Sequence, residues 1–193
     1  MAKISSARED LITAAVELFG ERGYEGVGVA ELLSKAGAPR GSLYFHFPGG
    51  KEQIGAEAVA RVGQQVALRF RDLSQSGVDL ETFIERVFKT TAKESKERHF
   101  KASCPMAAVA SGFGGADVNL AAAVRGAFTS WEREIADAAE ARGLKRKDAE
   151  IFASAMLAAM EGAFIVSKAQ ASTAPHINAA QAMKALAASL RMN

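Results

Sequence analysis

The stretch Val29–Phe47, VAELLSKAGAPRGSLYFHF, decides how this chain is read. Val29, Leu32, Leu33 and Ala36 recur at helical spacing, so a short helix turns them inward. Gly37 stands just past that helix, where a left-handed backbone is needed. Pro39 has a fixed φ suited to a helix start, which predicts a third, very short helix from there to about His46. Two short helices joined by Gly37-Ala-Pro-Arg40 fit a helix-turn-helix, whose second helix docks in the major groove of DNA.

The residues around that turn carry the matching chemistry. Gly41 and Ser42 have almost no side-chain bulk, so backbone and hydroxyl can approach phosphates at a helix start. Tyr44 and His46 alternate with Leu43, Phe45 and Phe47, and a phenol and an imidazole both reach sugar-phosphate oxygens. Lys51, at the start of the next helix, offers a charge-assisted phosphate contact. Arg40 is the candidate for specificity, because arginine pairs bidentately with guanine O6 and N7. Each position has a plainer reading. Arg40 could grip phosphate without specificity, Lys51 could be solvated charge, and His46 could cap its helix. The aromatic residues could be ordinary core, which is the reading for Phe47, as for Leu43 beside it, whereas Phe45 stays open between core and surface.

Working outward, Ser6-Ala-Arg-Glu9 reads as a capping box that starts a first helix, with Leu11, Ala15, Leu18 and Phe19 on one face and Gly23 as its stop. A long helix is expected from about Lys51 to Leu73, with Ile54, Ala58, Val62 and Phe70 on one side. Ser74-Gln-Ser-Gly77 is the clearest linker. It divides a helix-turn-helix domain at 1–50, with its connecting helix 51–73, from a second domain at 74–193. Further helices are expected at about 79–98, 104–112, 118–142, 146–171 and 176–191, which makes the chain all-α with about nine helices.

Composition excludes several classes. With 193 residues, 49% hydrophobic and 24% charged, the chain is globular rather than disordered. One cysteine, Cys104, permits no intrachain disulfide framework and fits a reducing compartment. No signal peptide is visible, and the longest apolar stretch, Ile151–Met160, itself broken by Ser154, is far below the roughly 20 residues of a membrane span. The chain therefore reads as cytoplasmic, with no membrane partner. Residues 1–51 carry six Lys/Arg against six Asp/Glu, so bulk charge does not suggest DNA binding and local placement must. Three scattered histidines and the one cysteine have no metal-binding spacing. His99 and Cys104 lack a third orienting group, and Phe113-Gly-Gly115 lacks the strand a nucleotide loop requires. No enzyme, metal or cofactor is expected.

Gly23-Tyr24, Ala36-Gly37, Gly41-Ser-Leu-Tyr-Phe-His-Phe47 and Lys51-Glu52 together resemble the DNA-binding domain of TetR/AcrR-type regulators. The resemblance spans about residues 6–70. Ala38-Pro-Arg-Gly-Ser42, Phe47-Pro-Gly-Gly-Lys51 and Cys104-Pro105 resemble the LmrA/YxaF-like subgroup. Position by position it implies that Arg40 and Gly41 face base edges while Ser42, Tyr44, His46 and Lys51 grip backbone. Gly28 stands where that family usually carries a phosphate-binding Ser or Thr, leaving its backbone N–H for the contact. Leu33 replaces a small residue, and Ala38-Pro39 replaces a Val-Ser pair.

From Ile151 to Ala169 the helix at 146–171 is apolar nearly all round, broken only by Ser154, Glu161, Ser167 and Lys168. Such a helix is buried on more than one side, and a second subunit is the natural cover. Ile151, Ala155, Ala158 and Gly162 on one side, with Ile177, Ala180, Met183 and Ala187 of the last helix, are expected to form a two-fold four-helix dimer interface. The resemblance implies the same arrangement. The opposite side, Phe152, Met156, Met160 and Phe164, faces its own subunit. Met and aromatic residues suit a permissive pocket for a small apolar or aromatic effector, with Met156, Met160, Phe164, Phe88, Cys104, Met106, Phe128 and Trp131 as candidate ligand-binding residues and Phe100 and Phe113 as further neighbours. The plainer reading is simple core, and the pocket itself rests on the resemblance. A redox role for Cys104, at a helix start, is a further possibility.

The function expected is a repressor that binds a palindromic operator in double-stranded DNA as a homodimer and is released by that effector. The rivals are an apolar small-molecule carrier or helical enzyme with a DNA-binding-like head, and an activator.

Overall fold

The computed structural model describes residues 2–112 and 118–192, with side chains from Ala7 onward. Among them lie nine helices and no strand: α1 (Ala2–Arg22), α2 (Val29–Lys35), α3 (Ser42–His46), α4 (Gly50–Gln75), α5 (Leu80–Glu97), α6 (Pro105–Ala110), α7 (Val118–Glu140), α8 (Arg146–Gln170) and α9 (Ala174–Arg191). The helical order expected from the sequence is present, with three local differences. First, α1 starts at Ala2 rather than at the Ser6 capping box, whose serine side chain lies outside the described residues. Second, Pro39 does not open α3. Its carbonyl accepts the Ser42 N–H at 2.9 Å in a turn, and helix begins at Ser42. Third, Ser74 and Gln75 continue α4, so only Ser76-Gly77 of that stretch turns. Phe113 and Gly114-Gly115 lie outside the described residues.

The chain divides into two compact units that interleave in sequence. One comprises residues 1–64 and 104–127, the other residues 65–103 and 128–193. Both α4 and α7 therefore contribute to each.

In the first unit, Leu11, Ala15, Phe19, Leu32, Leu43, Phe47 and Ile54 are each at most 1% exposed and form the core of the three-helix head. Burying aliphatic and aromatic side chains of this size contributes about 1.5–3 kcal/mol apiece. The turn after α2 is a Schellman motif. Gly37, at φ +61°, donates to the Ser34 carbonyl, and Ala38 donates to that of Leu33 at 3.0 Å. Helix α6 packs on α1, with the Ala108 carbonyl 3.3 Å from where a Cβ on Gly23 would stand. Two glycines let α7 approach α4: a Cβ on Gly55 would meet Leu120 at 3.2 Å, and one on Gly63 would meet the Ala127 Cβ at 2.7 Å.

In the second unit, Asp79 caps α5 by accepting the Thr82 N–H at 2.7 Å. The buried face of α5 (Leu80, Phe83, Ile84, Val87, Phe88) packs against α8 and α9. Arg142 donates to the carbonyls of Ser74 (2.8 Å), Val78 (2.7 Å) and Ala138 (2.8 Å) with its guanidinium 5.3 Å over the Phe83 ring. One cation thus satisfies carbonyl groups at the ends of two helices, α4 and α7.

His176, at the start of α9, is fully buried between two hydroxyls of α5. Its Nδ1 lies 3.0 Å from Thr91 Oγ1 and its Nε2 2.9 Å from Ser95 Oγ. Thr91 already donates to the Phe88 carbonyl, so it accepts from Nδ1–H, and the Ser95 hydroxyl donates to Nε2. The Phe164 ring meets the imidazole edge-on at 5.1 Å. Burial holds this histidine neutral and lowers its pKa to about 4.

By length and composition α8 could cross a membrane, with mean hydropathy 1.6 over its most apolar window, although the longest unbroken apolar run falls short of a span. Of that window 44% is buried within the chain, which marks one face of a core helix.

Candidate nucleic-acid interface

Helix α3 is a single short element whose position is set by two anchors. Leu43 and Phe47 are fully buried, as core residues should be. Arg8 stacks its guanidinium 5.0 Å from the Phe47 ring centroid. With Leu43 turned inward, the opposite side of the helix must face out. Tyr44 is 63% exposed and Phe45 71%, while Arg40 and Gly41 are also exposed and Ser42 is half-buried. This settles Phe45: it is surface, not core.

His46 is half-buried, its ring 4.9 Å from that of Phe45 and 6.5 Å from that of Phe47. The Lys51 ammonium lies 4.1 Å from the centroid of the buried Tyr24 ring, which fixes the charge in the first turn of α4. Gly50, at φ +63°, makes the turn between α3 and α4, and the Tyr44 ring edge lies 3.5 Å from where its Cβ would be. Gly28 is exposed in extended conformation as the N-cap of α2, with open space where a side chain would go.

Elsewhere in this unit cations meet carboxylates: Arg8 with Glu57, Arg61 with Glu9, Arg22 with Glu31, and Lys35 with Glu17 at 2.9 Å. The even balance of charge seen in residues 1–51 therefore conceals a local arrangement.

The residues considered for an effector are divided between the units. Cys104, the N-cap of α6, and Met106 are buried in the first, where Met106 lines a small apolar cleft with Phe19, Val59, Val62 and Val109. Phe88, Trp131, Met156, Met160 and Phe164 are buried in the second, and Phe128 is half-buried there with its ring 5.5 Å from that of Trp131.

The residues considered for a subunit interface also separate. Ile151 (50%) and Ile177 (57%) are exposed, as is Ala158, while Ala155 and Gly162 are half-buried. Ala180, Met183 and Ala187 instead turn inward and are at most 8% exposed. Their side of α9 covers α5 and α8 of the same chain. Exposed Ile165 and Val166 extend the outward stripe of α8 beyond the expected residues, at the same 3–4 residue spacing.

A helix-turn-helix with a surface-facing second helix, in a chain whose described residues form helices and no strand, is the architecture of a DNA-binding regulator. A family model for bacterial regulatory proteins of the tetR family matches residues 11–58, and one for the LmrA/YxaF-like transcriptional regulator C-terminal domain matches residues 81–182. The chain belongs to the LmrA/YxaF-like group of TetR-family transcriptional regulators.

The HTH-type transcriptional regulator LmrA of Bacillus subtilis (strain 168) is 41% identical over 73 residues, which span 38% of this chain and 39% of that one. The HTH-type transcriptional regulator Rv0196 of Mycobacterium tuberculosis is 29% identical over 176 residues, 87% of each chain. The fold is similar to the crystal structure of regulatory protein TetR from Rhodobacter sphaeroides, with a TM-score of 0.82 and 23% identity over 92% of this chain and 96% of that one. This family consists of transcriptional regulators rather than enzymes.

Proposed function

We propose that the protein is a cytoplasmic repressor that binds a palindromic operator as a homodimer and is released by a small apolar or aromatic effector. Residues 1–50 would read DNA, and residues 74–193 would dimerise and sense the effector. The observation that carries the reading is the outward face of α3 and the turn before it, where Tyr44 and Phe45, with Arg40 and Gly41, are exposed above a sealed Leu43–Phe47 anchor. Arg40 and Gly41 are assigned to base edges. Ser42, Tyr44, His46, Lys51 and the Gly28 backbone N–H are assigned to phosphates.

Dimerisation is supported by the outward stripe of α8, Ile151, Ala158, Gly162, Ile165 and Val166, together with Ile177 of α9. Exposed isoleucines and a valine in one row beside small residues suit close approach of a second copy. The effector is assigned to the Met- and aromatic-rich interior of the second unit, around Phe88, Phe128, Trp131, Met156, Met160 and Phe164. Cys104 and Met106 belong to the first unit and are not assigned to this site. Release follows from linkage. An effector that prefers a head spacing unsuited to DNA lowers operator affinity by that same preference, about 5–150-fold for roughly 1–3 kcal/mol of coupling.

The test is a gel shift on DNA from upstream of the protein's own gene, using wild type, Arg40→Ala and Tyr44→Phe. Retention by wild type and its loss in the variants at unchanged melting temperature supports the reading. Unchanged retention by both variants overturns the assignment of α3. Light scattering on Ile165→Glu tests the dimer: a monomer is expected, and an unaltered dimer would remove α8 as the interface.

A further inference from the structure

Phe45 is the most exposed side chain of the recognition helix, yet it has no group that could bind a phosphate. Leu43 is 0% exposed and Phe45 is 71% exposed, and two residues along a helix turn the chain by about 200°. Phe45 therefore projects from the side of α3 opposite its buried anchor. Four residues earlier, on that same ridge, stands Gly41, where an added Cβ would meet nothing within 4 Å. The ridge is bare at Gly41 and bulky at Phe45. The imidazole of His46 meets the Phe45 ring edge-on, with centroids 4.9 Å apart and planes at 82°, which limits where that ring can point.

Each outward group on α3 has a partner on DNA suited to its chemistry. Tyr44 and His46 carry polar atoms that suit phosphate and sugar oxygens. A phenyl ring pressed against phosphates would strip them of water and return no hydrogen bond, which is costly. In the major groove the one apolar group that base pairs present is the thymine C5-methyl. We infer that Phe45 is a specificity-determining residue that packs on a thymine methyl in each operator half-site. The inference rests on the DNA-binding role proposed above and adds to it. Recognition of guanine by Arg40 and of thymine by Phe45 are separate, one by hydrogen bonds and the other by apolar contact.

Uracil differs from thymine only in lacking that methyl, so the experiment follows directly. DNA from upstream of the protein's own gene is amplified once with dTTP and once with dUTP in its place, and both duplexes are titrated with wild type and Phe45→Ala. Burying one methyl is worth about 0.8 kcal/mol, or roughly fourfold in affinity per half-site and on the order of tenfold for a two-site operator. Wild type is expected to bind the uracil duplex weaker by that factor. Phe45→Ala is expected to bind both duplexes equally, with an unchanged melting temperature because the side chain it removes is exposed. Equal wild-type affinity for the two duplexes, or undiminished discrimination by Phe45→Ala, overturns the inference. Failure of wild type to bind either duplex would instead overturn the DNA-binding reading beneath it.

Discussion

Glu52 Oε1 accepts the backbone N–H of Asn119 at 3.1 Å, so the first turn of α4 supplies an acceptor to the first turn of α7. The bond satisfies a donor that a helix leaves unpaired at its N-terminus, and the carboxylate is favoured there by the helix dipole. Leu120, the next residue, is fully buried and reaches within 3.2 Å of the position a Cβ on Gly55 would take. The start of α7 is thus tied to the same turn of α4 that presents Lys51.

Glu52→Ala should remove that cap at a cost of about 1 kcal/mol. For a chain of this length that lowers the melting temperature by roughly 2–4 °C, measurable by calorimetry. Hydrogen exchange should accelerate first at the amides of residues 118–120. Unchanged protection there would show that the contact contributes nothing to the helix.

Lys51 should account for part of the salt dependence of DNA binding. Each neutralised phosphate contributes about 0.9 to the slope of log affinity against log salt. Lys51→Ala is expected to reduce that slope by about 0.9 per head, or nearly two for a dimer. Affinity should fall similarly for all duplex sequences, because a phosphate contact carries no sequence information. An identical slope would return Lys51 to the plain role of a cation stacked on Tyr24.

Gly28→Ser should strengthen DNA binding. Position 28 has φ −88° and ψ 156°, ordinary for an N-cap, and open space around an added Cβ. A serine there could accept the Glu31 N–H, completing a Ser-x-x-Glu box, with a stability gain of only a few tenths of a kcal/mol over glycine. Its hydroxyl could also reach a phosphate. Gel shift should show a higher affinity, and a loss would mean that the backbone must approach DNA too closely at this point for any side chain.

His176 should make stability fall on acidification. Its folded-state pKa is about 4, below the ordinary 6.5, so the unfolded chain binds a proton that the folded chain refuses between those values. The contribution is complete above pH 6.5 and disappears as pH drops toward 4, at most about 3 kcal/mol. In His176→Asn, melting temperatures compared at pH 7 and pH 4.5 should differ less than in wild type. An equal difference would place the acid sensitivity elsewhere.

Much of the head was legible because its signals are local. Gly37, the inward pair Leu32 and Leu33 and the pair Leu43 and Phe47 each sit within one helical turn of the residues that decide their role; Val29 and Ala36, expected inward with them, are half-buried. The exposed Phe45 was left open because Leu43, Phe45 and Phe47 alternate at a two-residue step, and only the helix, by putting Leu43 and Phe47 on one face, turns Phe45 to the other. Pro39 misled for a related reason, since its φ suits the first turn of a helix and a reverse turn alike.

The second unit shows the limit more sharply. Residues Ala180, Met183 and Ala187 share one face of α9, as their spacing requires, but a helical wheel gives relative angles and not the direction of the core. Packing on α5 and α8 turned that face inward and left Ile177 outside. His176 gave no local sign at all, because its partners Thr91 and Ser95 lie 85 and 81 residues away.

The order of helices, the glycine stop at Gly37 and the polar chemistry of the segment after it followed from the sequence alone, because each depends on backbone preference and spacing within a few residues. Which apolar faces are sealed, which aromatic is presented outward and where a lone imidazole finds two hydroxyls were decided by the tertiary structure. Those outcomes depend on long-range packing, in which distant segments compete for the same buried space.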